Sequence, residues 1–181
     1  SRIKESLAGR RMTFNLWPVG PWEWEEFTGQ DVWGGEQSYM RWGGYPQVVM
    51  ESDPVKRSAY IVELQRAYMD RDIETFLRVE RMDIFEALAR ILSRQVGHVV
   101  NLNEISNTLQ ISYDTASRYL RYLQETFVIF IVRPFFRNVR SELTKMPKVY
   151  FADLGLRNLL AGVTGIAWES MDIGPVYENL V

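Results

Sequence analysis

The sequence predicts a mainly α-helical fold with a small β component, and three observations carry that reading. Apolar residues recur at helical spacing over most of the stretch from Asp53 to Glu125. Helix-start signals punctuate it: an Asp-Pro pair at Asp53 and capping side chains at Asn101 and Ser112. The runs that read as strands are short, at residues 11–16, 127–132 and 148–151. With 46% apolar and 24% charged residues among 181, the chain can bury a real core and is neither a disordered tail nor a coiled-coil rod.

Taken in order, Arg11-Met12-Thr13-Phe14-Asn15-Leu16 alternates apolar and polar and predicts one strand. It should pair with something, because a lone strand leaves its backbone groups unsatisfied. Trp17-Pro18-Val19-Gly20 then turns into a short helix with Pro21 in its first turn. Trp17, Trp22, Trp24, Trp33 and Trp42 fall within 26 residues and are expected to pack in a core or an interface rather than form a ligand platform. Gly34-Gly35 and Gly43-Gly44-Tyr45-Pro46 break the chain between short helices, and neither has phosphate-loop spacing. Asp53 and Pro54 start a helix whose pattern runs through Ala59, Val62, Ala67, Ile73, Phe76 and Leu77 to about Val79, as one helix or two nearly continuous ones. Ile84, Phe85, Leu88, Ile91 and Leu92 form the stripe of the next, which Gly97 is placed to end.

From Asn101 the pattern becomes more specific. Asn101 and Glu104 have capping-box spacing, and Leu102, Ile105 and Leu109 give a two-turn helix a buried face. Ser112 caps a second helix, Tyr113 to Glu125, which buries Ala116, Leu120 and Leu123. Phe127 to Val132 reads as a buried strand, and Lys148-Val149-Tyr150-Phe151 as its partner. Helix, short helix, turn, helix and hairpin is the order of a winged helix-turn-helix, preceded here by a segment of short helices.

The net charge of −2 is unevenly spread: −3 over residues 1–80, +4 over 81–150 and −3 over 151–181. The middle segment is therefore the expected face for a polyanion. Its candidate nucleic-acid contacts are Tyr113, Arg118 and Arg121 on the second helix, and Arg133, Arg137, Arg140, Lys145 and Lys148 around the hairpin loop. Arginines there can grip phosphates or read guanine edges. Asp114 at the helix tip opposes phosphate, and the alternative is a helix-turn-helix used only to dock on protein.

Other chemistry is excluded by composition. With no cysteine there is no disulfide, thiolate nucleophile or cysteine zinc site, and a single histidine, His98, removes histidine-cluster metal sites. His98 is expected to pack near a helix end. No serine sits in a nucleophile elbow. Asp70, Asp72 and Glu74 lack metal-site spacing and are expected to be solvated or paired with Arg66, Arg71 and Arg78. No apolar run is long enough for a membrane-spanning helix, and Ser1-Arg2-Ile3-Lys4-Glu5 is not the start of a signal peptide, so a cytoplasmic setting is expected.

Several local strings also coincide in order. They are Ser6-Leu7-Ala8-Gly9-Arg10-Arg11, Leu16-Trp17-Pro18 with Trp24-Glu25, Gly43-Gly44-Tyr45-Pro46, and Tyr68-Met69-Asp70-Arg71-Asp72-Ile73. Pro134-Phe135-Phe136-Arg137-Asn138, the run Lys145 to Leu156, and Gly174-Pro175-Val176-Tyr177-Glu178-Asn179-Leu180-Val181 follow. Together they resemble a bacterial and archaeal AAA-type ATPase family with a C-terminal winged helix and a nuclease-like domain of unknown function. The resemblance implies that residues 1–52 end an ATPase core and lid-like segment, 53–80 form a connecting long helix, 81–152 the winged helix, and 153–181 the start of an incomplete nuclease-like domain. It further implies that Arg10 lies near nucleotide in a longer parent, and that Glu178 matches the first acidic residue of nuclease-like domains.

The chain has no Gly-x-x-x-x-Gly-Lys-Ser/Thr loop and no strand ending in Asp-Glu, so it is expected to be no enzyme by itself and to hold no cofactor. ATP and magnesium belong to the implied parent. The expected partners are the missing ATPase core, double-stranded DNA and a second copy of the chain. On this reading the chain is a non-catalytic fragment of a AAA-type ATPase whose winged helix binds DNA or relays nucleotide state. The alternatives are a protein-docking module and a free-standing winged-helix transcription factor.

Overall fold

The computed structural model describes residues 16–30, 36–69, 73, 79–135, 146–163 and 174–180. Of the strand predicted over 11–16, all but Leu16 lies outside these residues, as do Trp33, Gly34-Gly35, Asp70, Asp72 and Glu74. Helices dominate. Among the described residues none is long and apolar enough to cross a membrane.

Most helices begin where local chemistry requires it. Helix α1, Pro21–Thr28, has proline at its start, and the Glu23 carboxylate accepts a 2.9 Å hydrogen bond from the Gly20 amide. Helices α2, Glu36–Trp42, and α3, Pro46–Val49, are separated by the Gly43-Gly44-Tyr45 turn. Helix α4, Pro54–Ala67, opens under Asp53, whose Oδ1 accepts from the Val55 amide at 2.8 Å. Its α-helical geometry stops at Ala67, short of the predicted Val79; Tyr68, Met69 and Ile73 lie in wider π-type turns.

Three further helices and a hairpin follow. Helix α5 spans Met82–Arg94 and buries Phe85, Leu88 and Leu92 at helical spacing. Helix α6, Leu102–Leu109, is capped by Asn101, whose Oδ1 accepts from the amides of Asn103 and Glu104 at 3.1 and 3.3 Å. Helix α7, Tyr113–Glu125, is capped by Ser112, which accepts from the Thr115 amide at 3.1 Å. Strands β1, Ile129–Val132, and β2, Lys148–Phe151, pair antiparallel with Ile129 opposite Phe151 and Val132 opposite Lys148. Val99 bridges to the other edge of β2. Helices α8, Leu154–Ala161, and α9, Gly174–Leu180, complete the described chain.

The predicted strand from Phe127 is corrected at its start. The Phe127 and Val128 amides donate to the carbonyls of Gln124 and Leu123 at 3.1 and 3.0 Å and so close α7, while the Val128 carbonyl already accepts from the Ala152 amide at 2.9 Å. The strand begins only at Ile129.

Among the described residues two apolar clusters form the interior. The larger joins Phe85, Leu88 and Leu92 of α5 to Ile105, Leu123, Ile129 and Val149. Each such fully buried side chain contributes roughly 1.5–3 kcal/mol. The smaller gathers Val19, Trp24, Tyr39 and Met40 around Leu154 and Val176. Helix α8 supplies both, with Leu156 and Leu160 in the first cluster and Leu154 in the second.

Polar contacts fix that shared helix. Asp153 caps α8 by accepting from the Leu156 amide at 2.8 Å, and also accepts from the Gly44 amide at 2.7 Å. Asn158 is buried and donates to the Met40 and Arg41 carbonyls at 2.8 and 3.0 Å, covering carbonyls near the end of α2. Burial of the Asp153 carboxyl pushes its pKa up to about 6 against the downward pull of these amides. The backbones approach closely here: a Cβ on Gly155 would lie 2.2 Å from the Trp42 carbonyl oxygen.

Candidate nucleic-acid interface

Helical spacing places Tyr113, Ser117, Arg121 and Gln124 on one face of α7. That face lines an open cleft of about 380 Å³ whose opposite wall is Ile131, Arg133, Met146 and Pro147 of the hairpin. Asn101 and Asn103, at the start of α6, line it as well. Residues 129, 131 and 133 share one side by strand alternation, so the buried Ile129 holds the strand on the core while Arg133 reaches the cleft. Arg121 and Arg133 are both exposed, and Tyr113 is 50% exposed. The cleft thus combines two cations with hydroxyl and amide groups, the donor set that takes phosphate oxygens or base edges.

The other expected contacts fall elsewhere. Arg118 is exposed on α7 beside this face, its guanidinium 5.8 Å from the Tyr119 ring, with the exposed Asp114 one turn earlier. Lys148 lies on the other face of the hairpin, where Nζ is 2.8 Å from Glu178 Oε1. The Tyr150 hydroxyl donates to that same oxygen at 2.9 Å. Hydrogen bonding to Lys148, then to Tyr150, holds the Glu178 carboxyl below its ordinary range, and its bond from Lys148 raises the Lys148 ammonium. Arg10, Arg137, Arg140 and Lys145 lie outside the described residues. His98 is exposed beside the sheet, with Nδ1 3.0 Å from the Val96 carbonyl.

Sequence reasoning passed over Ser117, Gln124, Asn101 and Asn103. Their signal was the spacing from Tyr113 and the position of the two asparagines at the start of α6, beside the same cleft. Among the described residues no group of three His, Cys, Asp or Glu side chains is placed to hold a metal ion.

The comparisons with known proteins correct the expected parentage. Residues 36–167 match the family model described as a domain of unknown function, DUF8612. An uncharacterized protein of Haemophilus influenzae is 29% identical over 148 residues, covering 79% of this chain and 36% of its own length. The uncharacterized proteins Mb2031c of Mycobacterium bovis and Rv2008c of Mycobacterium tuberculosis are each 28% identical, covering 97% of this chain and 40% of their own. The chain therefore spans well under half the length of these curated relatives. No solved structure matches it.

The family that matches is one of unknown function, and none of these relatives is described as an ATPase, so the identification as a AAA-type ATPase fragment is overturned. The physical reason lies in the strings that carried it, which packing explains without nucleotide. Gly43 and Gly44 lie against the Asp153 carboxylate, Gly155 lies against the Trp42 carbonyl, and Tyr150 and Glu178 meet across β2 and α9. The nucleotide role of Arg10, the ATP and magnesium of a parent and the ATPase-core partner rested on that identification and go no further. With its family model matching more than two-thirds of its length, the chain belongs to the DUF8612 family.

Proposed function

We propose that this chain is a non-catalytic nucleic-acid-binding module whose α5–α6–α7 helices and β1–β2 hairpin act as a winged helix-turn-helix on double-stranded DNA. The observation that carries the reading is the placement of Arg121 and Arg133. They come from different elements, both are exposed, and both line one open cleft with Tyr113. Two cations converging from a helix and a hairpin suit the backbone of a duplex, where each contacted phosphate releases counterions. Ser117, Gln124 and the two asparagines add hydrogen-bonding reach toward base edges. Asp114 at the start of α7 is exposed and opposes phosphate on its own side of the helix. The test is fluorescence anisotropy on a labelled random-sequence duplex, comparing the unaltered chain with an Arg121→Glu, Arg133→Glu double variant. Binding that the double charge reversal abolishes supports the reading; equal binding by both proteins refutes it.

A further inference from the structure

A second open groove, of about 410 Å³, runs between α1 and the turn that joins α7 to β1. Leu16, Trp17, Phe27 and Phe127 line it and are 96%, 40%, 59% and 45% exposed. The Trp17 ring lies 4.9 Å from Phe127 and 4.8 Å from Phe130, so the aromatic surface continues onto β1. Singly scattered apolar residues on a surface are ordinary, but a contiguous set in a concave site marks a place where something binds.

The backbone adds an independent observation. Phe127 has φ 61°, the left-handed region, immediately after the end of α7. The Thr126 amide and hydroxyl and the amides of Phe127 and Val128 close that helix, so position 127 contributes only its backbone and glycine would serve there without strain. The phenylalanine held there keeps its ring against Trp17 at the edge of the groove.

The charge around the groove identifies the kind of occupant. Glu23 lines it; Glu26, one helical turn along α1, is exposed, and so is Glu125, next to Thr126 and Phe127. Among the described residues no lysine or arginine lines it. An aromatic floor with an acidic border repels DNA phosphates and anionic lipid headgroups, and it complements large apolar side chains flanked by cations. We propose that this groove receives a cationic amphipathic segment of a partner protein, anchored by an apolar side chain between Trp17 and Phe127. The site is separate from the α7–hairpin cleft, so it stands whether or not the chain binds DNA.

Isothermal titration with two synthetic peptides of about 18 residues tests this, the two sharing one leucine face and differing only in lysine or glutamate on the other. The lysine peptide is expected to bind at least ~10-fold more tightly than the glutamate peptide. Phe127→Gly and Trp17→Ser are each expected to weaken the lysine peptide at least ~10-fold while the circular dichroism spectrum is retained. Phe127→Gly keeps the left-handed closure of α7, and the retained spectrum separates a loss of binding from a loss of fold. Equal binding of both peptides, binding of neither, or unchanged affinity in the two variants overturns the proposal.

Discussion

The amide of Gly44 donates a 2.7 Å hydrogen bond to Asp153, 109 residues further along the chain. The other oxygen of that carboxylate accepts from Leu156 at the start of α8, so one buried side chain ties the α2–α3 turn to the helix shared by both cores. Replacing Asp153 with alanine leaves two buried amides without their acceptor. The expected loss is ~2–4 kcal/mol in urea unfolding, and a loss below ~1 kcal/mol would show that the contact matters little.

Asp153 also makes stability depend on pH. Burial raises its folded pKa to about 6, from an ordinary 3.8. A raised acid binds its proton more tightly in the folded state, so the stability this group contributes is full below pH 3.8 and is lost as pH climbs through 6. The lost contribution is about 3 kcal/mol for a shift of this size. The difference in unfolding free energy between the unaltered chain and Asp153→Asn should therefore fall between pH 4 and pH 7. A constant difference across that window removes the assignment.

Gly155 faces the Trp42 carbonyl so closely that an added methyl would lie 2.2 Å from the oxygen. Alanine normally favours a helix, yet Gly155→Ala should cost ~2–3 kcal/mol because it pushes α8 away from α2. A thermal melt that rises in this variant would contradict the packing described.

Helix α9 is held to β2 by Asn179, which accepts from the Phe151 amide at 2.7 Å and donates to the Phe151 carbonyl at 2.8 Å. Asn179→Ala should destabilise by ~1–3 kcal/mol, since it strips both backbone groups of their partner. Glu178→Gln should barely move the melting temperature, because its ion pair with Lys148 is about half exposed on both sides. The reverse ranking would place the anchor of α9 on the wrong residue.

Helix starts were legible because their chemistry is local: Asp53, Asn101 and Ser112 each cap an amide two or three residues away. The mainly helical class and the small hairpin were legible for the same reason, through periodicity. Of the site, Tyr113, Arg118 and Arg121 were named together, and the sequence did not separate the two that line the cleft from the one that lies beside it. Long-range partners could not be read. Lys148 counted among the cations of a wing until Glu178, 30 residues away, is seen to hold it. Asp153 read as the beginning of a separate unit, although it is the buried acceptor for Gly44. Short glycine strings misled for a related reason, because close backbone contacts demand glycine whatever chemistry surrounds them.

The central claim is that α7 and the hairpin together grip a polyanion, and the salt dependence of duplex binding tests it most directly. Plotted as log K against log salt for a labelled duplex, each phosphate contact contributes about −0.9 to the slope, so Arg121→Gln and Arg133→Gln should each flatten it by about 1. Slopes unchanged by either substitution, or affinity indifferent to salt, would contradict the claim.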